Sequence, residues 1–293
     1  MIKKIQNGFL SALGAAFCFA IIGILGALVY KGGASALSIL IGRAFVGIIL
    51  FSLTLFILDK KLFKIERKDI AKLFILSAVL AVHLILWWQA LKILNNISIS
   101  YALYFTFPLW VFLISIFVLK EKINKVKILC LGIGIIGVMF VVKFLPLFSF
   151  SGINFMGVGL MLLAAIGWAI FNILGQQLLT RYNPFTILFY NFLFCFIVFN
   201  LLQHPMTTLS HLTLSVIIYI LIISVICTYL AYVFYYFAIK SINASNVSII
   251  LFIIPFISTL FAFIILGQTI SLLQFFGMVL ILLGVYLLNE TYS

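Results

Sequence analysis

ALKILNNISISYALYFTFPLWVFLISIFVLKE (residues 90–121) and AIKSINASNVSIILFIIPFISTLFAFIILGQ (residues 238–268) are two versions of one segment. Ala90, Lys92 and Asn95 of the first match Ala238, Lys240 and Asn243 of the second, 148 residues further on. Pro108, Leu119 and Gly137-Val138 match Pro255, Leu266 and Gly284-Val285 at a spacing of 147, so one indel separates the copies. Each copy is a long apolar run interrupted by one proline. The chain is therefore read as one half written twice, with halves at 1–148 and 149–293.

The rest of the chain says what solvent those halves live in. It is 66% hydrophobic and only 8% charged, with a mean hydropathy of +1.38. Soluble domains carry roughly 45–50% apolar and about 25% charged residues. Crossing roughly 30 Å of hydrocarbon takes about 20 apolar residues at about 1.5 Å each. Breaking the chain at polar and turn clusters predicts ten such segments: 8–30, 36–58, 70–91, 97–119, 128–144, 153–179, 185–203, 213–239, 246–266 and 270–288. Lys3 and Lys4 before the first run resemble a secretory leader, but the run continues to Tyr30, too long for one, and is read as a retained span. The expectation is an all-α integral membrane protein in the lipid bilayer.

Charge orients it. With Met1 inside, fourteen of the eighteen Lys and Arg fall in cytoplasmic segments, Lys31, Lys92 and Lys143 fall outside, and Arg43 lies within a span. This positive-inside bias accounts for the formal net charge of +13 without a nucleic-acid partner. Both termini are expected in the cytoplasm. Five spans per half is an odd number, so the halves run in opposite senses. Inverted repeats of this kind build many secondary transporters, with the substrate site near the midplane between them.

The paired motifs resemble the ten-span EamA-type branch of the drug/metabolite transporter superfamily. There each half ends on a proline, an apolar run, Gly-Glu, a Gln and spaced glycines closing on Gly-Val. Here the first half shows Pro108, Glu121, Gly132 and Gly137-Val138, and the second shows Pro255, Gly267-Gln268, Gln274, Gly277 and Gly284-Val285. Lys120 stands where that pattern has its first glycine, and Gln268 where it has its second glutamate. The resemblance implies a carrier of amino acids or related small metabolites in a bacterial inner membrane.

Candidate site residues follow from chemistry that lipid does not tolerate. Arg43 costs about 2.5–3.5 kcal/mol to insert, against about 7 kcal/mol returned by its span's apolar side chains, so it must face protein or water. It is either a bidentate carboxylate clamp or a latch on helix carbonyls. His83, about 12 Å from the outer end of its span, lies near the depth of Arg43 at about 10 Å. Trp87 follows it by one turn, and Tyr101 and Tyr104 reach similar depths; together they would wall an aromatic pocket. Pro108 and Pro255 break the fourth and ninth spans, freeing backbone groups that suit a cavity lining. Asn172, Gln176, Asn191, Tyr229, Tyr232 and Tyr236 complete a polar set that would serve a wet cavity or interhelical bonding.

The four cysteines sit singly in apolar runs and are read as buried hydrophobes, with no metal or cofactor implied. No span holds an Asp or Glu, which favours facilitated diffusion or exchange over proton pumping. With no nucleophile–base pair in reach, an intramembrane enzyme is not expected. A monomeric carrier of a small-molecule substrate is the reading adopted. An exporter of hydrophobic or cationic drugs and a non-transporting membrane receptor or structural protein are its rivals. The orientation predicts that an impermeant maleimide on intact cells labels His211→Cys and spares Lys64→Cys; the reverse pattern would overturn it.

Overall fold

The computed structural model of the protein describes residues 2–121, 124–143, 154–203, 212–267 and 269–290. Among these, regular structure is helical throughout. Helices α1 (Ile2–Ala20) and α2 (Ile22–Lys31) correspond to the first predicted segment, α3 (Ala36–Leu58) to the second and α4 (Arg67–Leu94) to the third. The fourth is α5 (Ile97–Tyr104) with α6 (Phe107–Val118), followed by α7 (Lys125–Val141), α8 (Phe155–Leu179) and α9 (Pro184–Leu202). The eighth joins α10 (Leu214–Ile222), a π-helical run Ile223–Leu230 and α11 (Ala231–Ile242). The ninth is α12 (Ala244–Ile250) with α13 (Ile253–Leu266), and α14 (Leu272–Glu290) completes the described chain.

Nine of these helices or helix pairs, among the described residues, are long and apolar enough to cross a membrane. The segment predicted at 128–144 forms α7, a helix of 17 residues and so about 26 Å long, at the short limit for a span. Residue 144, the start of the segment predicted at 153–179, His204, His211 and Gln268 lie outside the described residues.

The proline breaks obey backbone chemistry. A proline ring clashes with the carbonyl four residues earlier and lacks an N–H. Those positions are Tyr104, where α5 ends, and Leu251, just past the end of α12. Both broken helices therefore interrupt at equivalent places, and α6 packs against α12.

The packing has the exchange symmetry expected of a two-fold axis between repeats. α4 packs on α8, and α1 packs correspondingly on α11. α4 meets α9 as α3 meets the π run, and α6 meets α8 as α1 meets α13. α3 packs on α9, and α7 on α14, each on the element at the matching position of the other repeat. In α3 the division of faces is plain: Phe45, Ile49, Leu53 and Phe56 are exposed to what would be lipid, while Arg43, Gly47, Phe51 and Leu55 are buried.

Small residues permit the closest approach. A methyl on Gly277 would lie 2.6 Å from the Gly137 carbonyl oxygen, and one on Gly137 would lie 2.9 Å from that of Gly277. Gly132, read from the sequence as another packing position, instead has open space around it, and Gly284 is in ordinary contact only. Helix ends carry the repeat too: Asn95 and Asn243 both take positive φ, 45° and 70°, and Lys120 (φ 55°) matches Gly267 (φ 64°).

Two substitutions test this packing. A left-handed backbone costs a side-chain-bearing residue roughly 1–2 kcal/mol. Lys120→Gly should therefore stabilise the detergent-solubilised protein by about 1 kcal/mol, read as a higher midpoint than Lys120→Ala. Gly277→Ala drives a methyl onto backbone that has no side chain to yield, and its melting temperature should fall.

Candidate functional site

Arg43 is carried into the bundle by α3, which Ser35 caps by accepting the Ser38 N–H at 3.0 Å. The side chain is 2% exposed. Its Nε donates to Thr228 Oγ1 at 2.8 Å, and the Thr228 hydroxyl donates onward to the Ile223 carbonyl at 3.3 Å. That second bond spans five residues and belongs to the π-helical run, so the irregular turn is what presents the Thr228 oxygen to the arginine. π-Bulges recur at functional sites. The guanidinium carbon lies 5.9 Å from the Trp88 ring centroid, and Tyr232 stands beside it. No carboxylate among the described residues pairs with Arg43.

Arg43 borders a central cavity of about 60 Å³. His83, Trp87, Tyr101, Tyr104 and Tyr232 line it as well, so six of the residues singled out in the sequence meet at one place. They come from α3, α4, α5 and α11, that is, from both repeats. The helix breaks supply Tyr104, Phe105, Phe107, Leu251 and Ile254. The cavity wall is aromatic: Trp168 stacks on Tyr235 at 5.2 Å, packs edge-on to Tyr232 at 5.8 Å and lies 5.1 Å from His83.

The remaining candidates sit elsewhere. Asn172 accepts from the Tyr235 hydroxyl at 2.6 Å, and Gln176 accepts the Ala244 N–H at 2.6 Å. Asn191 accepts from Ser77 at 2.8 Å and donates to the Tyr236 hydroxyl at 3.5 Å. These bonds join helices and do not face the cavity. Tyr229 turns towards α3, where its hydroxyl meets that of Thr54 at 2.6 Å. The spacing 229, 232, 236 places three tyrosines on one face of an α-helix, but Tyr229 lies in the π run, whose wider turn rotates it away. Pro108 is buried beside the cavity without lining it, and Pro255 lines a second cavity nearer one end of the bundle.

Sequence reasoning missed Phe19, Trp168 and Thr228. Nothing in a threonine within an apolar run marks it as an arginine partner. Trp168 had a weak signal: it is the sixth span's one tryptophan, and it lies 149 residues after Phe19, which it meets edge-on at 6.2 Å.

The two ends of the bundle differ. At the end remote from most lysines, two cavities of about 390 and 460 Å³ share Gly23, Asn95 and Asn96. Tyr101 lines both the first of these and the central cavity, and its hydroxyl lies against Gly23. At the lysine-rich end, polar bonds tie the halves together. Arg181 holds buried Asp69 at 2.6 Å and both oxygens of Glu66 at 3.0 Å, and the Tyr182 hydroxyl donates to Asp69 at 2.9 Å. A second tie joins Glu121 to Ser245 at 2.6 Å and to Lys127 at 3.3 Å. The Lys68 hydrogen bond, helped by Arg181, holds the Glu66 carboxyl below the usual carboxylate range, so this clasp is charged at neutral pH.

Among the described residues no three His, Cys, Asp or Glu side chains converge as a metal site would require. A protein of known crystal structure is similar over 96% of each chain, with a TM-score of 0.78 at 14% sequence identity, which shows the shared fold alone. No curated protein sequence matches this chain. A family model of EamA-like transporters matches twice, over residues 6–143 and 155–290. The two matches cover both halves, and the protein is a multi-pass membrane transporter belonging to the EamA-like transporter family.

Proposed function

We propose that this transporter is a secondary carrier of the bacterial inner membrane that moves an amino acid or related zwitterion by alternating access. In this reading it works as a monomer of ten spans, with inverted halves at 1–148 and 149–293 and both termini in the cytoplasm. The observation that carries the substrate class is Arg43. It is a buried guanidinium whose side-chain partners, Thr228 and Tyr232, are neutral, with no acidic counterpart among the described residues and a cavity beside it. A buried charge is tolerated when something pairs with it. A substrate carboxylate meets that need through the guanidinium fork. Aromatic faces of Trp87, Tyr104, Trp168 and Tyr232 suit the ammonium and the body of the same molecule.

Alternating access is supported by the difference between the ends. Positive-inside orientation makes the lysine-rich end cytoplasmic. The wide cavities then open outward, down to Tyr101, while the Asp69–Arg181 and Glu121–Ser245 ties shut the inner side. The described conformation reads as outward-facing, with the inner clasp broken when the carrier turns over.

Two experiments bear on these readings. In proteoliposomes, Arg43→Gln should weaken carboxylate-bearing substrates by roughly 10- to 150-fold, the equivalent of about 1.5–3 kcal/mol, and leave uncharged analogues nearly unchanged. Arg43→Lys should also transport poorly while remaining folded, because the fork is lost. Equal losses for charged and uncharged substrates, accompanied by a lower melting temperature, would show Arg43 to be a structural latch. For the clasp, spin labels on Lys64→Cys and Lys240→Cys should report a longer distance component once Asp69→Asn is added. An unaltered distribution would count against the gate.

A further inference from the structure

His83 is oriented on every side but one. Its Nδ1 lies 2.8 Å from the Ala164 carbonyl oxygen of α8. The ring stacks on Tyr104 with centroids 5.9 Å apart and leans on Trp168 at 5.1 Å. Behind it, α8 passes at Gly167, where a methyl would stand 3.3 Å from the His83 Cβ. A carbonyl oxygen only accepts hydrogen bonds, so Nδ1 carries a proton. In an imidazole with one ring proton, Nε2 is then a lone-pair acceptor.

The surroundings favour that single proton. Arg43 on α3 borders the same cavity, and α5, α8 and α9 bring no carboxylate to it. A second cation there would stand uncompensated beside the first. Nε2 has no hydrogen-bond partner among the described residues, while His83 is 3% exposed and lines the cavity. The cavity thus offers one cationic fork and one neutral acceptor. Both border about 60 Å³ of space, and the two charged ends of an α-amino acid are separated by a single carbon.

We propose that His83 Nε2 accepts a hydrogen bond from the α-ammonium group of the bound substrate, which makes His83 the residue that distinguishes an amino acid from the carboxylic acid lacking its amine. The assignment rests on the reading of Arg43 as the carboxylate clamp. It explains why the Ala164 carbonyl holds the ring: fixing the proton on Nδ1 keeps the opposite nitrogen free to accept.

The test uses side chains that mimic one ring nitrogen each. His83→Asn keeps a donor near the Nδ1 position for the Ala164 carbonyl but places nothing at Nε2. His83→Gln reaches the Nε2 position and restores an acceptor there. Probes are matched pairs: L-alanine with propanoate, L-leucine with 4-methylpentanoate, and L-phenylalanine with 3-phenylpropanoate, each titrated by thermal shift on the purified full-length protein. For pairs that bind, the unsubstituted protein should prefer the amino acid by roughly 10- to 150-fold, the range of a charge-assisted hydrogen bond. His83→Asn should cut that preference to about threefold or less without weakening the carboxylic acid. His83→Gln should retain a preference of tenfold or more, and its loss in a folded protein would overturn the assignment even if His83→Asn proved unstable. A full preference surviving in His83→Asn removes His83 from amine recognition and leaves the Arg43 reading standing. Failure of the unsubstituted protein to bind any member of any pair overturns both.

Discussion

Hydrocarbon offers no hydrogen-bond partner, and every irregularity in this protein is placed by that fact. A peptide group released from a helix inside the bilayer must be met by protein or by water in a cavity. The two proline-broken spans part at Tyr104 and at Leu251, the residues four before each proline, and both residues line the central cavity. The π-helical run of the eighth span sits beside the same space, with Thr228 turned to Arg43. The cavity is thus walled by regular helix that carries Arg43, His83, Trp87, Trp168 and Tyr232 and by the two helix breaks.

The two halves solve one packing problem with different chemistry. Arg43 and Asn191 occupy equivalent places 148 residues apart. Arg43 crosses from α3 to the eighth span at Thr228, and Asn191 crosses from α9 to the third span at Ser77. The bond is repeated, but only the first half puts a formal charge into it. A neutral amide is satisfied by Ser77 and Tyr236 and remains a structural tie. The guanidinium is met by Thr228 and Tyr232, neither of them charged, and it borders the cavity. An asymmetry of one side chain is enough to give a symmetric scaffold a site with a direction of charge. The ends show a second asymmetry: ion pairs close the lysine-rich end, whereas the corresponding approach of α2 to α10 at the other end brings Gly32 against Val216.

Much of this was legible from residue types alone, and the gaps have specific causes. Arg43 and His83 stood out because lipid penalises them, and Trp87, Tyr101 and Tyr104 because they share their depth. Asn172, Gln176 and Asn191 looked equally eligible, since a buried amide reads the same whether its partner is a substrate or a neighbouring helix. Only the observed bonds to Tyr235, Ala244 and Ser77 separate those cases. Tyr229 was grouped with Tyr232 by a period of 3.6 that the π run does not keep. Gly132 and Gly137 belong to the same spaced set, yet only Gly137 touches backbone across the helix pair. Which face of an all-apolar helix turns inward is not encoded in polarity when both faces are greasy.

The amino-acid sequence by itself determined the class of this protein. Spans of about 20 apolar residues, the lysine bias and the two copies around Pro108 and Pro255 follow from hydrophobic transfer, charge and backbone sterics, all of which act locally along a chain. Tertiary structure alone decided which polar residues share a cavity, which nitrogen of His83 meets the Ala164 carbonyl, and which polar residues bond between helices instead. Those outcomes depend on contacts between residues as far apart as Arg43 and Thr228, or His83 and Ala164. In a medium without a polarity gradient between core and surface, such contacts are selected by shape and by hydrogen-bond pairing across helices, and neither leaves a periodic trace in the order of the residues.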